Sequence, residues 1–174
     1  MARHFRRPDG TFWGTVVDGE PTEVGLIEVE SAPADGNMVW WGQGWVLPVE
    51  IARARRLTAL TARYLAALDA GMTYQGKVLQ IRENDQINIT AVGQEARWAL
   101  AGGIAWPANF AWRMADNSFL PLPTPQHMIA LGEAAKAEVY RLRQVKWGHA
   151  AAIAAMETAE AVNAHDIEAG WQLS

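Results

Sequence analysis

From Thr124 to Asn163 nothing in the chain strongly stops a helix, and this stretch constrains the fold more than any other feature. Thr124 is an N-cap residue type. Pro125 suits a first helical turn, where its missing N–H has no partner to lose. The two glycines inside the stretch, Gly132 and Gly148, are the places where it could bend. At 1.5 Å per residue such a helix spans roughly 55–60 Å, longer than a compact domain of about 125 residues is wide. Its apolar face would carry Met128, Leu131, Ala135, Leu142, Val145, Ile153 and Met156, at intervals near three and four. Two outcomes stand open: a break near Gly148 with the chain folding back, or a helix that packs against copies of itself.

The chain before that helix divides near residue 49. Through Val49, turn signals recur at Pro8-Asp9-Gly10, Asp18-Gly19, Asp35-Gly36 and Gly42-Gln43-Gly44. Between them lie short apolar runs at Phe12 to Val17, Val24 to Val29, Met38 to Trp41 and Trp45 to Leu47, so three to five short strands are expected. Trp40-Trp41-Gly42-Gln43-Gly44-Trp45 reads as a tight hairpin with indoles on both arms. Neighbouring strand residues point to opposite faces, so at most one of Trp40 and Trp41 can fill the core of this module.

Pro48 opens a helix over 51–70, with Leu57, Leu60, Tyr64 and Ala67 as its stripe, Leu65 and Leu68 widening it, and Gly71 as its stop. Its opening turns carry Arg53, Arg55 and Arg56, the unfavourable sign for a helix N-terminus. Either Glu50 and other carboxylates offset them, or they serve a contact with another chain. Tyr74 to Ile81 reads as a bend into a short strand, and Asp85 as the N-cap of a helix that runs to about Ala101 and stops at Gly102-Gly103. Asp116-Asn117-Ser118 between Phe110–Ala115 and Phe119–Leu122 is a hairpin signature. The expected class is α+β: a β-rich attachment module over 1–49, then a mostly helical domain over 50–174 with a β-hairpin and a long C-terminal helix.

Half of the residues are hydrophobic and a fifth are charged, enough for both a core and a solvated surface. The net charge of -4 gives no reason to expect nucleic-acid binding, which draws on a surplus of Lys and Arg. With no cysteine in the sequence, disulfides, thiol catalysis and Cys-ligated metals are excluded. No apolar run reaches the ~20 residues of a membrane-spanning helix, and no membrane contact is expected. Arg3, Arg6 and Arg7 are followed by Pro8-Asp9-Gly10 where a signal peptide needs its apolar stretch, so the N-terminus reads as unprocessed. Tryptophan stands out: there are nine, and a chain this short can hide only some of them. Indoles left at a surface suit protein interfaces or sugar stacking.

The apparent chemical motifs fail on inspection. Gly71 to Lys77 has phosphate-loop spacing, but Val78 replaces the Mg²⁺-ligating hydroxyl, and the glycines follow a helix where they should precede one. Ser31, Ser118 and Ser174 lie in no Gly-x-Ser-x-Gly elbow. His4, His127, His149 and His165 show no metal-ligand spacing; His165-Asp166-Ile167-Glu168 reads as a capped turn, and His149 as a hydrogen-bonded interface residue. No catalytic residue, cofactor or metal is expected.

From about residue 51 the chain resembles a domain of unknown function found in tailed-phage and prophage proteins associated with tail fibres. The resemblance rests on an ordered set of pieces: Ala70-Gly71-Met72-Thr73-Tyr74, then Gly76 and Leu79-Gln80, Gln86-Ile87-Asn88-Ile89, Trp112, Ala115-Asp116-Asn117, the long Ala-rich helix, and Asp166-Ile167-Glu168-Ala169-Gly170-Trp171. More loosely, Trp41-Gly42-Gln43-Gly44-Trp45 is similar to the leader regions of fibre-assembly proteins. The resemblance implies a virion tail location, with synthesis in the host bacterial cytoplasm, and carries over no catalytic residue. Physical reasoning assigns Asp116 and Asn117 to the hairpin turn, Asn88 to a backbone bond from a neighbouring strand, and Trp171 to fastening the C-terminus onto the core.

The expected function is therefore a structural subunit of a phage tail, baseplate or fibre, not an enzyme. It would act through contacts with other tail or fibre proteins and with copies of itself, a trimer being favoured. A tail-fibre assembly chaperone and a receptor- or glycan-binding module are the alternatives. The residues expected to meet partners are Trp40, Trp41, Trp45, Arg53, Arg55 and Arg56.

Overall fold

The computed structural model describes residues 2–172, and the fold is α+β. In chain order its elements are β1 (Arg3–Arg6), β2 (Phe12–Val16), β3 (Ile27–Val29), β4 (Val39–Trp41), β5 (Gly44–Val46), α1 (Val49–Ala70), β6 (Met72–Tyr74), β7 (Lys77–Leu79), α2 (Glu83–Leu100), β8 (Ala111–Arg113), β9 (Phe119–Pro121), α3 (Pro125–Ala155) and α4 (Ala159–Ala164). Contacts divide the chain into two compact units: Met1–Thr58 with Ala152–His165, and Ala59–Ala151 with Asp166–Ser174. The first thus takes in a segment about a hundred residues beyond the β-rich part of the sequence, which turn punctuation has no means to reveal.

In the first unit β1 is the middle strand of an antiparallel sheet ordered β2-β1-β3. Four of the five strands here fall within or beside the expected apolar runs. The exception is β1, whose Arg-His-Phe-Arg sequence carries only one strongly apolar residue; that residue, Phe5, is buried. β4 and β5 form a separate hairpin in which Trp41 pairs with Gly44 across the two-residue turn Gly42-Gln43. Gly42 has a positive φ of 63°, as the first position of a type II′ hairpin turn requires. Gly10, also at positive φ, lies against β4 so closely that a Cβ there would sit 2.9 Å from the Trp40 carbonyl oxygen.

α1 begins where Pro48 places it: the N–H groups of Ile51 and Ala52 both donate to the Pro48 carbonyl. Its buried positions are Ala52, Leu60 and Leu68, while Leu57 and Leu65 are exposed, so the stripe is narrower than the sequence suggests. Gly71 ends it at φ 74°, and a Cβ there would meet the Leu79 carbonyl oxygen at 2.5 Å.

The second unit is built on three hairpin or helix choices that local chemistry explains. Residues 72–74 join 77–79 in a hairpin, so the expected bend is flanked by two strands instead of leading into one. Gln75 and Gly76 both have positive φ, the pattern of a type I′ turn. α2 starts three residues earlier than expected. Asp85 lies in its first turn and its carboxylate accepts the Arg82 N–H at 3.1 Å, acting from inside the helix and not as the N-cap. The β8–β9 hairpin turns at Asp116-Asn117-Ser118 as expected, with Asn117 at φ 65° and the Asp116 carboxylate accepting the Ser118 N–H.

α3 is 31 residues long, about 46 Å, and stops at Ala155 instead of reaching Asn163. Gly148 lies within it and does not break it. The chain breaks at Met156–Thr158, and Thr158 starts α4 in an extended conformation with its hydroxyl accepting the Ala161 N–H at 3.2 Å. Met128, Leu131, Ala135, Leu142 and Ile153 are buried as the spacing requires, and Val145 and Met156 are half-buried. No described helix is long and apolar enough to cross a membrane.

Candidate functional site

The six residues singled out from the sequence all lie in the first unit and form two groups. The hairpin brings Trp40 and Trp45 together as a cross-strand pair, with ring centroids 5.4 Å apart and planes at 88°. Phe12 meets Trp45 edge-on at 5.7 Å, and the Arg6 guanidinium lies 5.8 Å over the Trp40 ring. Both indole N–H groups are satisfied locally: Trp40 donates to the Gly42 carbonyl at 3.1 Å and Trp45 to the Ser31 carbonyl at 2.8 Å. Trp41, on the other face of the strand, is 77% exposed. The alternation of a two-strand hairpin thus splits the Trp40-Trp41 pair into one packed indole and one bare one.

Arg53, Arg55 and Arg56 all find partners inside the unit. Arg53 donates to the Met156 carbonyl at 2.5 Å, just past the end of α3, and Arg56 to the carbonyl of His165, the C-cap of α4. Each guanidinium therefore stands at a helix C-terminus, where a cation is favoured. The charge that is unfavourable for the dipole of α1 is favourable for two other helices. Arg55 makes a two-pronged ion pair with Asp35. The Arg55 guanidinium, helped by the Asn37 N–H, holds the Asp35 carboxyl well below the usual carboxylate range. The Nε groups of Arg53 and Arg56 are buried without a hydrogen-bond partner among the described residues.

The second unit places the remaining expected residues. Trp171 is 5% exposed and its indole N–H donates to the Ile167 carbonyl at 2.7 Å. Arg63 lies 5.2 Å over its ring, and His149 stacks on it at 6.1 Å. Arg141 clamps the same segment, donating to the carbonyls of Gly170 and Trp171 while binding the buried Glu138 carboxylate through two hydrogen bonds. His149 is hydrogen-bonded within its unit, to the Ala169 carbonyl at 3.0 Å. Asp166 accepts the Glu168 N–H, which makes 165–168 the capped turn expected from its composition. Asn88 departs from expectation. It is exposed, lines a groove of about 660 Å³ with Asp85, Trp112 and Arg113, and its side chain makes no hydrogen bond among the described residues. Lys77, the phosphate-loop look-alike, is spent on the hairpin turn, donating to the Ser118 hydroxyl at 2.8 Å and the Phe119 carbonyl at 3.2 Å.

Two further indoles are bare, Trp98 at 58% and Trp147 at 54% exposure. Among the described residues no group of three or more His, Asp or Glu is placed to hold a metal ion. What the sequence reading missed is an acidic tract with a groove beside it. Between Arg7 and Arg53 there is no Lys or Arg, yet the segment holds Asp9, Asp18, Glu20, Glu23, Glu28, Glu30, Asp35 and Glu50. Arg3 neutralises Glu20 and Glu28, Arg7 neutralises Glu23, and Arg55 neutralises Asp35. A local charge count would have found the tract; its pairing with flanking arginines requires the fold.

Over residues 51–169 the chain matches a family described as a domain of unknown function (DUF4376). Neither curated proteins nor solved structures yield a match. The match covers more than two thirds of the sequence, runs from the first turn of α1 to the turn before Trp171, and leaves the sheet and tryptophan hairpin outside it; the chain belongs to the DUF4376 family.

Proposed function

We propose that this protein is a structural subunit of a bacteriophage tail, baseplate or fibre, acting through contacts with other proteins and not through chemistry. The observation that supports the reading is the exposure of Trp41, Trp98 and Trp147 at 77%, 58% and 54%. An indole offers one of the largest apolar surfaces of any side chain, and tryptophan is the residue most enriched at the energetic centres of protein interfaces. Phe119 and Tyr140, at 62% and 58%, add to the uncovered aromatic surface. The tail location comes from the resemblance described above for residues 51–174, and self-association into a trimer is part of the same proposal. Trp41 is its expected contact on the first unit. Trp40, Trp45, Arg53, Arg55 and Arg56 support that surface from within.

Mass spectrometry of purified particles tests the assignment. Peptides of this chain at a fixed ratio to known tail proteins are expected. Absence from particles, with a rise in soluble trimeric fibre on co-expression, would instead identify an assembly chaperone that leaves before the particle is complete.

A further inference from the structure

We propose that the outer edge of β3 receives an extended peptide strand from a partner protein, and that the strand it accepts is basic on one face and apolar on the other. β3 ends the sheet order β2-β1-β3, so among the described residues one side of its backbone has no neighbouring strand. Among the described residues no backbone hydrogen bond from outside the sheet reaches Ile27, Glu28 or Val29. A groove of about 550 Å³ beside it is lined by Ile27 to Glu30 together with Arg6, Trp40 and Gln43. Four consecutive residues line that groove. Strand side chains alternate between faces, so the groove takes in the backbone of β3 as well as one of its faces.

Charge selects the occupant. Glu28 lies on one face of the strand and Ile27 and Val29 on the other, and Glu30 follows directly in the bend that ends it. Glu28 is already paired with Arg3, whereas Glu30 has no ion partner among the described residues. A second copy of β3 is a poor fit, because an antiparallel self-pair centred on Glu28, the middle residue of the strand, sets carboxylates directly opposite one another, which is destabilising. Glu28 thus acts against edge-to-edge self-pairing, the hazard of any free strand edge. A strand with Lys or Arg at alternate positions removes that repulsion and brings a cation to the unpaired Glu30 at the end of β3. Its intervening apolar residues fall beside Ile27 and Val29, on the side of the sheet that carries Arg6. This inference concerns the first unit alone and does not depend on the tail assignment.

The test uses the full chain and three capped hexapeptide probes: alternating lysine and valine, the same peptide N-methylated at alternate residues, and alternating glutamate and valine. Binding of the lysine–valine probe is expected by calorimetry, with none for the glutamate–valine probe. N-methylation removes strand hydrogen bonds while keeping the charge, and should weaken binding by on the order of tenfold or more. Glu30→Lys, an exposed substitution whose fold is checked by circular dichroism, should weaken it by about fivefold. No binding of the lysine–valine probe overturns the proposal. So does equal binding of the N-methylated probe, which would reduce the site to charge alone.

Discussion

Replacing Trp171 by alanine should cost the second unit a large part of its stability. The indole is 5% exposed and meets Tyr64, Arg63 and His149. Truncating a buried aromatic to alanine typically costs about 3–5 kcal/mol, because the surroundings close only part of the cavity. That figure already contains the lost packing, so the Ile167 hydrogen bond and the Arg63 contact place the expected loss near the middle, about 4 kcal/mol. Trp171→Phe separates the terms. It keeps most of the ring but leaves the Ile167 carbonyl without its donor, at a cost of about 1–2 kcal/mol. Urea unfolding followed by far-ultraviolet circular dichroism reads both. With a slope of about 2 kcal/mol per molar urea, the alanine variant should unfold roughly 2 M earlier and the phenylalanine variant under 1 M earlier. A shift for Trp171→Ala of less than about 0.5 M would refute the view that this residue fastens the C-terminal segment to the core. Equal shifts for the two variants would show that the hydrogen bond, not the ring, carries the effect.

Three other perturbations follow from the same structure. Gly71→Ala forces a side chain into φ 74° with its Cβ 2.5 Å from the Leu79 carbonyl oxygen, and should destabilise by about 3 kcal/mol in thermal or urea melts. Thr158→Ala removes the hydroxyl that caps α4 and should cost the first unit about 1 kcal/mol. Asp35 has a folded pKa below its unfolded one, so its contribution is full above the ordinary carboxylate range and fades as pH falls through the folded value. Asp35→Asn should therefore be less stable than wild type at neutral pH, with the gap closing as a urea midpoint series is taken below about pH 4. An unchanged gap across that series would show that the Arg55–Asp35 pair is not the source.

What was legible in the sequence was mostly backbone chemistry. Asp116-Asn117-Ser118 and Gly71 announce themselves because few residues tolerate left-handed backbone, and both lie at the turns they signal. Pro48 and Pro125 mark helix starts for a related reason, a missing donor that costs nothing in a first turn. The alternation that separates Trp40 from Trp41 follows from strand geometry alone. Features set by distant partners were hidden. β1 holds its place through two neighbouring strands and one buried phenylalanine, not through its own apolar content. The stop in α3 depends on Thr158, a single cap residue within an alanine-rich run that reads as continuous helix, and on Arg53, which binds the Met156 carbonyl from 103 positions away. Arg53, Arg55 and Arg56 looked like candidates for another chain because their partners, two helix ends and Asp35, can be identified only once the first unit is assembled.

The central claim is that the bare indoles are contact surface between chains. Light scattering on the purified protein over a wide concentration range tests it most directly. A mass at a whole multiple of the 19.1 kDa chain is predicted, three chains being the expected multiple, and Trp41→Ser should lower it without unfolding the protein. A single-chain mass at every concentration would contradict the account.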